Sequence, residues 1–163
     1  MEFLDALSEL EKSTQFKLWV KKNKKSYLSY GFIMKDPAVK EEWQIGYYNP
    51  TTDTVTTFTI GEDIVQNPEA EMFKDDKKVL PLEVKDIKIT LKEALKIAEK
   101  IQDEKYSAHK PFKKIIILQK LEIGQVWNIT YITNTFKSLN IKIDSVTGNI
   151  VIDELVDLFR IEK

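Results

Sequence analysis

The chain has 163 residues, 42% of them hydrophobic and 31% charged, with a net charge of −1 and no cysteine. At this length about 70% of the unfolded surface can be buried, so one compact domain or two small ones can hold a core without staples. The composition excludes disordered, collagen-like and low-complexity chains, disulfides and Cys-based metal sites. It also excludes a global field that would draw in nucleic acid or an anionic membrane.

Of the 25 basic residues, 24 are lysine, and Arg160 is the one arginine. Arginine is the residue that grips phosphates and base edges in bidentate fashion, so its scarcity argues against a nucleic-acid reader. Charge is laid out in blocks. Residues 1–35 carry +3, residues 36–83 carry −7, residues 84–143 carry +6 and residues 144–163 carry −3. No run of 18 apolar residues occurs, so no membrane span is expected. The start, Met1-Glu2-Phe3-Leu4-Asp5, lacks the basic and apolar regions of a signal peptide. The expected location is the cytoplasm if Met1 is the native start, and outside it if a signal segment was trimmed.

Phe3, Leu4, Leu7 and Leu10 recur at helical spacing and predict an amphipathic helix over about 2–12. Phe16, Leu18 and Val20 alternate with Lys17, Trp19 and Lys21, which predicts a strand, with a hairpin turn at residues 23–26. A second strand is expected over about 27–34, with Leu28, Tyr30, Phe32 and Met34 on one parity, and Asp36-Pro37 ends it. Trp43–Tyr48 and Thr54–Ile60 read as strands joined by a turn at Asn49-Pro50-Thr51-Thr52-Asp53. Residues 61–83 hold Gly61, Pro68, Pro81 and six acids between Glu62 and Asp76, and read as a connection with a short helix near 69–74.

Thr90-Leu91-Lys92-Glu93 is a capping box, and the stripe Leu91, Ala94, Leu95, Ala98, Ile101 predicts a helix over about 91–105. Strands are expected at about 113–121, 125–134 and 138–144, then a tight turn at 144–149 in which Gly148 takes positive φ, then a last strand from Ile150. Leu155, Val156, Leu158 and Phe159 extend that strand or make a terminal helical turn.

The order of elements is written twice. One register lays Tyr48–Val55 against Ile143–Ile150, and another lays Trp43-x-Ile45-x-Tyr47 against Trp127-x-Ile129-x-Tyr131. The second half resembles a PepSY domain over about 84–152. The residues that carry this are Thr90, Glu93, Ala94 and Ala98 of the capped helix, then Trp127-Asn128-Ile129-Thr130-Tyr131. Ile141-Lys142-Ile143 running into Asp144-x-x-Thr147-Gly148 and Asn149-Ile150 completes the match. The first half is similar in outline and lacks the Thr-Gly. The resemblance implies an α+β fold of two similar halves, each a helix packed on an antiparallel sheet, PepSY-like or cystatin-like in outline. The halves are expected at 1–61 and 84–163, with 62–83 as an acidic connection. It also implies a non-catalytic module that binds partners or restrains peptidases. Family members are usually exported or membrane-tethered.

No catalytic, metal or cofactor set is expected. His109 is the one histidine, the paired acids Glu41-Glu42 and Glu62-Asp63 point apart, and no phosphate-binding or nucleophile-elbow glycine pattern occurs. Trp19, Trp43, Tyr47, Trp127 and Tyr131 are the candidate binding surface, read as an aromatic sheet face or as the lining of a pocket between the halves. Lys21, Lys22, Lys24 and Lys25 form a candidate basic patch beside Trp19, Tyr27 and Tyr30. The expected function is binding or regulation through the sheet surface or edge, with a small-ligand pocket as the alternative. The expected partner is a protein or peptide, a second copy of the chain included, and not a nucleic acid.

Overall fold

A computed structural model gives the structure of the protein and describes residues 1–71 and 78–158. Helix α1 (Phe3–Lys12) forms as expected, and Phe3, Ala6, Leu7 and Leu10 bury one side of it. Helix α2 (Thr14–Lys22) stands where a strand was expected. Ser13 makes the difference. Its hydroxyl donates to Leu10 O at 2.7 Å, closing α1, and accepts from Phe16 N at 3.2 Å, opening α2. Phe16 and Trp19 then lie one turn apart and pack against the sheet, so the local alternation of apolar and basic residues is overridden. Residues 23–26 accordingly join a helix to a strand and form no hairpin.

Strands β1 (Tyr27–Lys35), β2 (Trp43–Asn49) and β3 (Thr54–Ile60) follow as expected, with Asp53 at φ 56° in the β2–β3 turn. The acidic connection supplies two short strands, β4 (Ile64–Gln66) and β5 (Ala70–Glu71), both paired with β3. Where a helix was expected near 69–74, Glu69 has no regular structure and residues 70–71 form a strand, while residues 72–74 lie outside the described residues.

Helix α3 (Leu91–Lys105) has the expected capping box. The Glu2 carboxylate adds to it, accepting from Leu91 N at 2.7 Å and Lys92 N at 3.1 Å. An anion on free amides at a helix start is favoured by both hydrogen bonding and the helix dipole. Strands β6 (Pro111–Leu121), β7 (Gly124–Thr133), β8 (Lys137–Asp144) and β9 (Ile150–Asp157) follow, so Leu155 and Val156 extend the last strand, while Phe159 lies outside the described residues. In the β8–β9 turn, Asp144 accepts from the amides of Val146 and Thr147, and Gly148 has φ +77°.

All strand pairs are antiparallel, in the order β4-β3-β2-β1-β6-β7-β8-β9, with β5 beside β3. The halves thus meet edge to edge at β1–β6, where Gly31 faces Leu118 and Ile33 faces Ile116. Gly31 and Ile116 are themselves the β-neighbours of Ile45 and Ile129. These pairings relate the halves by an approximate twofold axis through the seam. The register Trp43-Ile45-Tyr47 onto Trp127-Ile129-Tyr131 is the structural one. The hairpin register is overturned, because the turn at 49–53 joins β2 to β3 whereas the turn at 144–149 joins β8 to β9.

The two indoles are bonded alike. Trp43 Nε1 donates to Met1 O and Trp127 Nε1 to Ile89 O, each at 2.9 Å and each two residues before a helix start. Helix α1 packs on β2 and β3, and α3 on β7 and β8, so one face of the sheet carries the helices and a single core. No helix among the described residues is long and apolar enough to cross a membrane.

Candidate functional site

Side chains alternate across each strand, so every strand sends one parity to the helices and the other to the opposite face. On β1 the helix side takes Ser29, Gly31 and Ile33, while Tyr30, Phe32 and Met34 go to the helix-free face. Leu28, expected on the same parity, packs instead against the core, because the register shifts between Leu28 and Tyr30; the three apolar residues after the shift lie outside it. On β6, Ile116 and Leu118 are buried and Ile115 and Ile117 face out. Register then builds rows across the sheet. Thr59, Gln44, Phe32, Ile117, Asn128 and Lys142 lie in one row, with Tyr30 opposite Gln119 in the next.

At the seam these rows enclose a concavity of about 330 Å³ lined by Tyr30, Phe32, Gln44, Ile117 and Gln119. Gly46 shapes it. A Cβ there would come within 2.3 Å of the Tyr30 ring, so the absence of a side chain lets that ring lie down on the sheet. Partial burial raises the Tyr30 pKa above its ordinary value, so the phenol is neutral at physiological pH.

An amide ladder orients one wall. Asn128 Nδ2 donates to Gln119 Oε1 at 3.0 Å, Asn140 Nδ2 to Asn128 Oδ1 at 2.7 Å, and Lys142 Nζ to Asn140 Oδ1 at 2.5 Å. With its oxygen engaged, Gln119 has N–H groups that bond no described residue. The Gln44 amide is engaged by no described residue. The site therefore offers aromatic and aliphatic floor, amide donors and acceptors, and no charged group in its lining.

The residues expected as a binding surface are mostly elsewhere. Trp43, Trp127 and Tyr131 are 1%, 0% and 0% exposed beneath the helices. They are core packing residues, because an indole whose N–H finds a backbone carbonyl can be buried whole. Tyr47 is buried on the same face, and burial raises its pKa, with the Glu11 charge adding to the effect. Trp19 is on α2 rather than in a strand. It stacks on Phe16 at 5.9 Å between ring centroids and meets Tyr47 edge-on at 5.4 Å. Trp19 and Tyr47 border a groove of about 390 Å³ beside α2, with Lys17 and Lys24 at its rim and Glu11 in its wall. The structure brings these two together and separates them from the other three.

Lys21 and Lys22 end α2, Lys24 and Lys25 follow it, and all four are exposed. His109 Nδ1 lies 2.6 Å from Thr135 Oγ1. Among the described residues no group of three His, Cys, Asp or Glu could hold a metal ion. The residues of the concavity were not singled out from sequence. Their parity was visible, but only the β1–β6 pairing shows which parity the helices cover.

No family model matches the chain, and no curated protein matches it. One solved structure does. It is the crystal structure of a candidate lipoprotein from Clostridium difficile 630, 14% identical, covering 86% of this chain and 90% of that one with a TM-score of 0.57. That likeness shows the fold: an α+β chain with helices packed on an antiparallel sheet.

Proposed function

We propose that the protein is a non-catalytic binding module that receives an extended segment of a protein partner on the helix-free face of its sheet. The observation that carries this reading is the half-buried apolar strip of Tyr30, Phe32, Met34, Ile115 and Ile117, continuous across the β1–β6 seam and crossed by no helix among the described residues. An apolar centre rimmed by amides and hydroxyls is the anatomy of a protein-binding patch. The rim here is Gln44, Gln119, Asn128 and Thr59. No carboxylate, histidine or lysine lines the concavity, which fits recognition better than acid–base chemistry.

A PepSY-like module that restrains a peptidase outside the cytoplasm is the finer form of this reading. It draws on the sequence resemblance and on a structural neighbour described as a candidate lipoprotein. The second reading is a small-ligand protein. The 330 Å³ concavity between the halves favours it, although its lining is Tyr30, Phe32, Gln44, Ile117 and Gln119 rather than the tryptophans.

The test is differential capture. Wild-type protein and the variants Phe32→Asp and Ile117→Lys are immobilised, and soluble and membrane fractions of the native cell are passed over them. Both positions are half-buried, so the fold should persist, which circular dichroism checks. Proteins retained by the wild type and lost from both variants support the face as the site. Identical retention on all three overturns it. A small molecule released only from the wild type moves the second reading ahead.

A further inference from the structure

Helix α2 carries a second surface, on the other side of the molecule. Phe16 and Trp19 turn inward, so on a helix of 3.6 residues per turn Lys17, Leu18 and Lys21 point outward, with Lys22 on the flank. Lys24 and Lys25 extend this side through the corner into β1. Five lysines thus fall between positions 17 and 25, all exposed and none paired with an acid among the described residues. The nearest acid of the adjoining groove is Glu11.

The dipole of α2 favours Lys21 and Lys22 at its last turn but explains neither Lys17, Lys24 and Lys25 nor the apolar residues among them. Leu18 is 55% exposed in the middle of the basic side, whereas Val20, two positions on and so on the opposite flank, borders the groove. No described residue covers Leu18.

We propose that this side of α2 and the corner after it rest on an anionic lipid bilayer. The chemistry selects that partner. Clustered lysines on an amphipathic helix meet the negative surface potential of acidic lipids, and their aliphatic stems can lie along the boundary while the ammonium groups stay at the phosphates. Leu18, exposed among those lysines, supplies an apolar group to insert at the interface. A nucleic acid would need rings free for base stacking, but Trp19 is packed on Phe16 and Tyr47, and Tyr27 lies edge-on to Tyr48. Because α2 lies on the helix-bearing side, this orientation turns the helix-free face away from the bilayer, toward a soluble or neighbouring partner.

The full-length protein is sedimented with vesicles of phosphatidylcholine alone and of phosphatidylcholine with phosphatidylglycerol, at low and at high salt. Binding is expected only to the acidic vesicles and should fall as salt rises. Trp43 and Trp127 are buried, so a change in tryptophan emission on binding reports Trp19 on α2.

Reversing Lys21, Lys22, Lys24 and Lys25 together to Glu should weaken binding at least about tenfold. Leu18→Ser should weaken it at unchanged charge. The matched control reverses Lys85, Lys88, Lys92 and Lys96, which are equally exposed around the start of α3, and should leave binding in place. Absence of binding to acidic vesicles at low salt overturns the proposal, as do equal binding to neutral vesicles or equal loss in the two fourfold variants. Retention of an acidic protein or a nucleic acid in place of acidic vesicles overturns it too.

Discussion

Two glycines on opposite faces of the sheet give a direct test of which face is closed. At Gly31 an added Cβ would sit 2.3 Å from Phe3 Cε2, and at Gly46 it would sit 2.3 Å from Tyr30 Cε1. Ordinary carbon contacts are about 3.5–4.0 Å, so either neighbour must retreat by more than about 1 Å. Phe3 is 1% exposed, lies edge-on to Trp43 at 5.3 Å, and is tied to a helix whose Ala6, Leu7 and Leu10 are all buried. It can retreat only by moving α1. Overpacking of that kind costs about 1–3 kcal/mol, offset by about 0.5 kcal/mol because alanine restricts the unfolded chain. Gly31→Ala should therefore destabilise by about 0.5–2.5 kcal/mol.

Tyr30 is half-buried on the helix-free face and its ring can swing toward solvent, so Gly46→Ala should cost less than about 1 kcal/mol. Urea unfolding of both variants at unchanged slope measures the difference as a shift in midpoint. Equal costs, or a larger cost at Gly46, would refute the assignment of an open face beyond Tyr30. Since Gly46→Ala also displaces a wall of the concavity, it should lower partner retention while the fold stays intact.

Four further expectations follow from single contacts. The Tyr131 hydroxyl is buried and has no hydrogen-bond partner among the described residues, so Tyr131→Phe should leave stability unchanged or raise it by about 1 kcal/mol in thermal unfolding. Trp127→Phe removes the bond to Ile89 O and leaves a space in the core, and should cost about 2–3 kcal/mol by the same measurement. Glu2→Ala frees the amides of Leu91 and Lys92 and should cost about 1 kcal/mol, with hydrogen exchange rising at the start of α3. Amide bonds, first that of Thr147, lower the Asp144 pKa, and the Lys105 ammonium with the Tyr106 hydroxyl lowers that of Asp153. Depressed carboxylates stabilise fully above the ordinary carboxylate pKa of about 4 and lose that contribution as pH falls through their folded values. An acid titration of unfolding should accordingly be shallower below about pH 4 when both are replaced by Asn.

Much of the fold was legible because local and global preferences agreed. Thr90 and Glu93 announced α3, and its span is the expected one. Asn49 to Asp53 and Asp144 to Gly148 marked turns through residues that accept positive φ. The failures share one cause, a local pattern decided by distant contacts. Phe16, Leu18 and Val20 alternate as in a strand, and the Ser13 cap together with the packing of Phe16 and Trp19 on Tyr47 makes them helical. The Ser-Thr-Gln-Phe start was the signal available. Tyr30, Phe32 and Ile117 were read as ordinary strand residues because β1 and β6 are apolar on both parities. Their neighbours across the seam lie more than eighty positions away in sequence. The tryptophans drew notice as a surface because large aromatics suit both cores and interfaces, and only their indole bonds to Met1 and Ile89 separate the two.

The β1–β6 seam has a consequence for how the chain associates with itself. Each half contributes one long strand, nine residues in β1 and eleven in β6, whose outer edge is satisfied only by the other. An unsatisfied edge of that length is a template for pairing. The ladder that closes the seam within one chain can be formed equally by the halves of two chains, since the connecting segment is long and the contacts are the same. Strand exchange is thus written into the architecture. Pieces cut within the connection would be expected to recombine across the seam, and a concentrated refolding solution to yield swapped dimers whose every interface is native.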